Sequence, residues 1–440
     1  MEARAGVRDG WNTRTGKGGA RRAVAGLALA GALLGLLAGC AGGAGAAQGS
    51  AAPTQQAIAP QPLVTQAQDT SLGEGEIVYE QGVAALSQEQ EALIHAYMTR
   101  AYEGLGRLEE PDFSDLFTDQ TQAQASQSGI ALQIGARQLI DGLDYTLTGY
   151  HYTLSCMQTT QREDGTMEVG AIETVVQNFT QLPGVDSERS GNFHHFVLEQ
   201  VEGRWYLQSH MQYDTLYGQL MEELESNWRE VDLAAQYIQA MPAYLEQLQA
   251  GQAQREAQQG RDSALPQADH PYDRQGALDY ADAYAMERNL DWADYSSVGG
   301  NCQNYVSQCL LAGGIPMDTA GDAVWKWYGS TPSSSTQAEG RSPSWTGVGS
   351  FLRYALDNDG FGLVAQVDAP YGSGQPGDLI QMGTEGVWRH VVIIRALVQD
   401  EAGNTVDYLI HSNTNDLRNF PASLYCYPIF SLTRIIGWND

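Results

Sequence analysis

The sequence predicts an α+β protein in two folded parts, and three observations carry that prediction. Between about Ile77 and Glu225, helix-period apolar residues come first and strand-like segments follow. From Pro271 onward, one cysteine-headed helix is set among short apolar strands. The chain has 440 residues, enough for two or three cores, and its 42% hydrophobic share suits globular folding.

The N-terminus reads as an export leader. Arg14, Lys17, Arg21 and Arg22 form a basic stretch, and Ala23 to Gly39 is an apolar run without a charge. A signal peptide has this layout, and the run is short for a bilayer span. Its end, Leu37-Ala38-Gly39-Cys40, resembles the lipobox of bacterial lipoproteins, whose cysteine is lipidated and becomes the new N-terminus. The resemblance implies removal of residues 1–39 and an exported, extracytoplasmic protein anchored to the cell membrane through Cys40. The residues after Arg21-Arg22 add nothing to a twin-arginine reading, so the ordinary secretory route is expected.

The formal charge is −29. Loss of residues 1–39, which hold six basic and two acidic residues, leaves 18 basic against 51 acidic, a net of −33. Such a surface repels phosphates, which excludes nucleic acid as a partner. It also repels anionic headgroups, so acyl chains rather than charge would hold the protein at a membrane.

Residues 40–76 read as a flexible tether, because Ala41 to about Ser71 is Ala, Gly, Gln and Pro with almost no large apolar side chain. Residues 77–225 form an accessory α+β region. Leu93, Ile94, Tyr97, Met98, Tyr102 and Leu105 mark a helix over Gln88 to Leu105, and Ala123 to Leu143 is a second. Strands are expected over Tyr145 to Met157, Met167 to Thr180, Phe193 to Val201 and Trp205 to Gln212. Turns at Glu163-Asp164-Gly165, Gly184 and Glu202-Gly203 join them. Helices followed by such a meander look like the cone-shaped fold of nuclear-transport-factor-like domains. His194-His195 is not read as a metal pair, since adjacent strand residues face opposite sides. Residues 226–270 read as helix and linker. The helix begins at Leu216, with Leu220, Met221, Leu224, Trp228 and Val231 on one face; Pro242 interrupts it, and Gly251 to Pro271 links the two parts.

Residues 271–440 carry the chemistry. Four cysteines besides Cys40 are too few for a disulfide framework. Cys302 and Cys309, seven apart on one helix, lie about 10 Å from each other, too far to bridge. Their spacing also lacks a zinc-site rhythm, so neither metal nor cofactor is expected. Cys302 follows Gly299-Gly300-Asn301 and heads a helix that stops at Gly313-Gly314. A thiol there feels the positive end of the helix, and the free backbone amides can receive an oxyanion. The flanking Asn301, Gln303 and Asn304 are polar, unlike the surroundings of Cys309 and Cys156, which read as core. His390, on a strand over Val387 to Leu397, is the candidate base. A hairpin centred near residues 401–402 would set Asn413 opposite it as the orienting group, with His411, on the same strand face, as the rival. Trp325, Trp327, Tyr328 and Trp345 fit either a substrate groove or the core. Asp378, after Pro376-Gly377, reads as fixing a turn.

Tyr272-Asp273-Arg274, Asn301-Cys302-Gln303-Asn304-Tyr305-Val306-Ser307-Gln308, Ser342-Pro343-Ser344-Trp345-Thr346, Pro376-Gly377-Asp378 and Arg389-His390 together resemble the bacterial putative amidase domain family. This papain-like group is near the CHAP and cell-wall endopeptidase domains, and the resemblance covers about Pro271 to Trp438. It implies a half-barrel sheet with the cysteine helix packed on it, and amide hydrolysis through a thioester. Cys302 and His390 match the nucleophile and base, with Asn301 and Trp345 as substrate-binding candidates. Two positions depart from the pattern: Asn301 replaces an acidic residue, and Asn413-Thr414-Asn415-Asp416 has asparagine where histidine is usual. The expected function is a cell-surface cysteine hydrolase of an amide or peptide bond, with a cell-wall peptide as one candidate substrate. The alternative is a catalytically inactive binding or scaffold lipoprotein of the envelope.

Overall fold

A computed structural model describes residues 71–140, 142–213, 216–218, 233–258, 264–320, 323–384 and 386–440. The leader, Cys40 and nearly all of the tether lie outside them, as do Leu220, Met221, Leu224, Trp228 and Val231. The fold is mixed α+β around a twelve-stranded, mostly antiparallel sheet.

The first strand, β1 (Gly73–Tyr79), starts inside the stretch read as tether. It alternates exposed Glu74, Glu76 and Val78 with half-buried Gly75, Ile77 and Tyr79, the period of a strand with one covered face. Helix α1 (Gln88–Arg107) opens with a capping box in which Ser87 and Gln90 satisfy each other's backbone amides. Helix α2 (Gln120–Gln138) is capped by Asp119. The meander β2 (Leu147–Gln161), β3 (Met167–Phe179), β4 (Ser187–Val201) and β5 (Arg204–Gln212) follows, with β1 parallel to β2 at its edge. Strand β4 begins before the expected Phe193. Its polar Ser187–Asn192 segment is held on both edges, by β3 on one side and by the C-terminal half on the other.

Helix α3 (Leu233–Gln258) runs through Pro242 and through Gly251, correcting the expected break and linker there. Its buried Met241, Tyr244 and Leu248 form a small core with Leu132 and Ala136 of α2. Gly251 is required by contact: a Cβ there would lie 1.9 Å from the Pro428 carbonyl oxygen. Tyr244 donates its hydroxyl to the Cys426 carbonyl at 2.9 Å.

The C-terminal half contains β6 (His270–Pro271), α4 (Arg274–Tyr284), α5 (Cys302–Ala312), β7 (Trp327–Tyr328), β8 (Gly340–Arg341), α6 (Pro343–Thr346) and α7 (Val348–Asp357). Strands β9 (Gly362–Ala369), β10 (Leu379–Thr384), β11 (Val387–Gln399), β12 (Thr405–Ser412), β13 (Leu417–Pro421) and β14 (Ile429–Asn439) follow. The sheet runs β1-β2-β3-β4-β13-β12-β11-β10-β14-β6, so the two halves join where β4 pairs with β13. One core holds Tyr97, Phe196 and Leu207 together with Ile380, Val392, Ile394 and Ile410; a second lies around α5. Asp378 fixes the turn before β10 by accepting from Gln375 N–H, Ile435 N–H and the Arg274 guanidinium. Residues 64–293 and 301–440 form one unit. Asp294–Gly300 lies outside that unit; within it, Val298 and Gly300 N–H both donate to the Tyr295 carbonyl.

Candidate active site

Helix α5 begins at Cys302, and its N-cap Asn301 makes no side-chain cap, which leaves the first-turn amides uncommitted. The Cys302 thiol lies against its own N–H, the N–H groups of Gln303 and Val391, and the Thr414 hydroxyl. The three amides would stabilise a thiolate, while the Thr414 hydroxyl donates to the Asn413 carbonyl at 2.8 Å; burial outweighs these groups and pushes the thiol above its ordinary range. Cys302 is only 5% exposed. Burial thus favours a protonated Cys302 thiol rather than the helix-stabilised thiolate expected from its position.

His390 precedes Val391 on β11 and is 3% exposed. Burial lowers it to about 3, so the imidazole is neutral. Its Nε2 is 2.9 Å from Ser412 Oγ. Tyr425 packs against the ring edge-on at 4.9 Å and Tyr427 stacks parallel at 6.0 Å. Val391 packs with Cys302 in the core around α5, while the neighbouring His390 turns toward the tyrosines, as strand alternation requires. Cys302 thus lies beside Val391 while the imidazole of the adjacent His390 points to the opposite face of β11, with no hydrogen bond between the two side chains among the described residues.

The orienting residue is the main correction. Strand β12 pairs Ile393 with His411, a register one residue away from the one that would oppose His390 and Asn413. A one-residue slip reverses every side chain, so Ser412 faces His390 and Asn413 faces away. The Asn413 amide donates to the carbonyls of Tyr284 and Glu287 at 2.7 and 2.9 Å and accepts from Asn301 Nδ2 at 2.6 Å. It caps the end of α4. His411 is also turned away, with Nε2 2.8 Å from Asp282 Oδ1.

Asn301 and Trp345, the expected substrate-binding residues, are both buried and hydrogen-bonded within the fold. Trp345 is fully buried and donates Nε1 to Asn304 Oδ1 at 3.0 Å; Asn304 donates to Asn301 Oδ1 at 2.9 Å. The Asn301 N–H donates to Thr414 Oγ1 at 2.5 Å, tying the start of α5 to the residue that touches the thiol. Sequence reasoning missed Thr414 and Ser412. Thr414 belongs to the Asn413-Thr414-Asn415-Asp416 segment singled out from the sequence and Ser412 immediately precedes it, so the signal lay one residue to either side of Asn413.

His194 and His195 are both buried. His194 Nδ1 lies 3.0 Å from His210 Nε2, and its other ring nitrogen is 3.4 Å from Glu173. Cys156, Cys302, Cys309 and Cys426 are all free thiols. No helix among the described residues is long and apolar enough to cross a membrane.

Residues 271–429 match the family model described as "Putative amidase domain". Over 149 residues the chain is 34% identical to the uncharacterized protein YhbB of Bacillus subtilis (strain 168), an alignment covering 33% of this chain. The chain spans 43% of that protein, less than half of its length. No solved structure matches.

Proposed function

We propose that this protein is an exported, lipid-anchored cysteine hydrolase that cleaves an amide or peptide bond through a thioester, with peptidoglycan as its candidate substrate. One observation carries the reading: the Cys302 thiol at the start of α5, close to the backbone amides of Cys302, Gln303 and Val391, the last of which follows His390 on β11, inside the region that matches an amidase domain. The Cys302 sulfur attacks the carbonyl carbon while His390 takes the thiol proton. The Cys302, Gln303 and Val391 amides that now face the sulfur receive the developing oxyanion. His390 then gives its proton to the leaving amine, and a water activated by the same imidazole hydrolyses the thioester. Both groups rest neutral, so proton transfer awaits substrate, and the imidazole must turn from Ser412 toward the sulfur. Catalytic hydrogen bonds that are long in a free enzyme commonly tighten in the complex.

The packing of α5 on Val391 and Ile393 supports a papain-like arrangement for the C-terminal half, and the β2–β5 meander with α1 supports a cone-shaped accessory region. Export and anchoring rest on the leader and on Leu37-Ala38-Gly39-Cys40. The inactive-scaffold reading keeps one observation in its favour, the nearly closed nucleophile.

Zymography on purified cell walls separates the two. The wild type should clear the walls and Cys302→Ala should not. Clearing by both would remove Cys302 from the mechanism, and clearing by neither would favour the scaffold. Anchoring is tested by detergent partitioning: wild type should enter the detergent phase and Cys40→Ser should not, and equal partitioning would overturn the lipoprotein reading.

A further inference from the structure

We propose that helix α3 is an autoinhibitory clamp, which presses the segment 422–430 onto His390 and keeps the imidazole on the face of β11 away from Cys302. The proposal rests on the hydrolase reading above and adds the regulation of that site.

The clamp is a run of matched contacts. Tyr244, Gly251 and Arg255 fall at helical spacing on one face of α3, and they meet Cys426, Pro428 and Phe430, alternate residues of the segment. Tyr244 donates to the Cys426 carbonyl at 2.9 Å, and Gly251 leaves no room for a Cβ beside the Pro428 carbonyl. The Arg255 guanidinium lies 4.2 Å from the centre of the Phe430 ring. From Tyr244 to Arg255 a helix rises about 16 Å, and from Cys426 to Phe430 an extended chain covers about 13 Å, so the two run alongside each other. The start of the segment is anchored as well. Ser423 donates to Asp407 Oδ2 at 2.5 Å, and that buried carboxyl also accepts from Tyr145 of the accessory half at 2.6 Å.

The imidazole rests on this clamped segment. Met382 pairs with His390 on one side and with Phe430 on the other, so the three residues share one face of the sheet. On that face Tyr425 meets the imidazole edge-on at 4.9 Å and Tyr427 stacks on it at 6.0 Å, while the two tyrosines pack on each other at 5.3 Å. Cys302 belongs to the opposite face, with Val391 and Ile393. The strand holds a local device for changing faces. Met382 pairs with His390 but Gly383 with Trp388, so Arg389 is the extra residue of a β-bulge beside the imidazole. Passing that bulge from Arg389 to His390 re-aims the imidazole while Trp388 and Val391 keep their partners. The tyrosines oppose that step for as long as α3 holds them.

The test uses the full chain and follows alkylation of each cysteine by iodoacetamide at pH 7 with mass spectrometry. An imidazole beside the sulfur raises its thiolate share and so its rate. Tyr244→Phe with Arg255→Ala loosens the clamp and should speed labelling of Cys302 about tenfold, while the fully buried Cys309 stays unlabelled. Adding His390→Gln should remove the gain, which mere exposure of the thiol would not do. If Cys309 reacts as well, the double variant has unfolded, and Tyr427→Leu decides: it leaves α3 in place and should give the same His390-dependent gain. Unchanged or slower labelling of Cys302 in a folded variant, or a gain that survives His390→Gln, would overturn the clamp. Clearing of purified cell walls separates this proposal from the one it rests on. A His390-dependent gain in labelling with no clearing by any variant would keep the clamp and remove the hydrolase. Clearing by the wild type with no gain on loosening would do the reverse.

Discussion

Ser412 and Asn413 are adjacent in the chain and opposite in space, which gives them different expected phenotypes. Ser412 is the hydrogen-bonding partner of His390, so Ser412→Ala should lower kcat about tenfold while the protein stays folded. Asn413 joins the end of α4 to Asn301, so Asn413→Ala should cost about 1–3 kcal/mol of stability instead. Thermal melts beside steady-state rates decide the matter; a fully stable Asn413→Ala with the larger kcat defect would restore it as the orienting residue. The thiol makes a second prediction at this scale. Burial holds Cys302 protonated, so the resting chain should react slowly with iodoacetamide at pH 7 and faster as pH rises. Cys426 is half-buried and should be labelled first. Faster labelling of Cys302 than of Cys426 at pH 7 would show that the helix N-terminus prevails over burial.

Packing of whole elements explains which parts of the fold the sequence made legible. Helix α1 was legible because its apolar residues recur at helical spacing behind a Ser87–Gln90 capping box. The four meander strands were legible because turn residues punctuate them. Position 302 as a helix start was legible from the Gly-Gly-Asn lead and the Gly-Gly stop, where Gly314 adopts φ 84°. The beginning of β4 was not, because Ser187 to Asn192 has a loop composition and is a strand through pairing with β3 on one edge and, more than 200 residues away, with β13 on the other. The β11–β12 register was missed for a similar reason. Gln399 pairs with Thr405, so the hairpin is centred on Ala402 rather than between residues 401 and 402, and the two bulges farther along offset each other; composition alone does not fix that half-residue. The continuation of α3 past Gly251 was hidden by composition, yet it yields a sharp expectation. Gly251→Ala would drive a Cβ into the Pro428 carbonyl and lift α3 from the segment that carries Tyr425 and Tyr427. We expect a loss of about 1–3 kcal/mol, the usual cost of overpacking, read as a lower Tm. An unchanged Tm would mean that α3 does not bear on that segment.

At the scale of the whole molecule, buried histidines set the response to acid. Burial lowers His390 to about 3 and lowers His195 and His210 from their ordinary 6.5. Each is neutral in the folded chain and takes up a proton once unfolded. Between the folded and unfolded pKa values the unfolded chain therefore binds more protons, so stability rises with pH in that window. The contribution is complete above about 6.5 and is lost as pH falls toward the folded value. Carboxylates enter later: Glu173 is held far below its ordinary 4.5 by Arg189 and His194, so its stabilisation is lost only below 4.5. Between pH 6.5 and 4.5 each histidine is worth up to about 1.4 kcal/mol per pH unit, while Asp318, Asp378 and Asp407, whose carboxyls burial raises above 3.8, oppose the loss as they take up protons in the folded chain. The excess negative charge works the other way, because acidification relieves self-repulsion, but salt at 0.15 M screens that contribution over about 8 Å. In such a buffer, Tm should fall from pH 7 to pH 5, and His390→Gln should fall less steeply while keeping a side chain that can bond Ser412. A flat profile in the wild type, or an equal slope in His390→Gln, would show that this imidazole is not held neutral by burial.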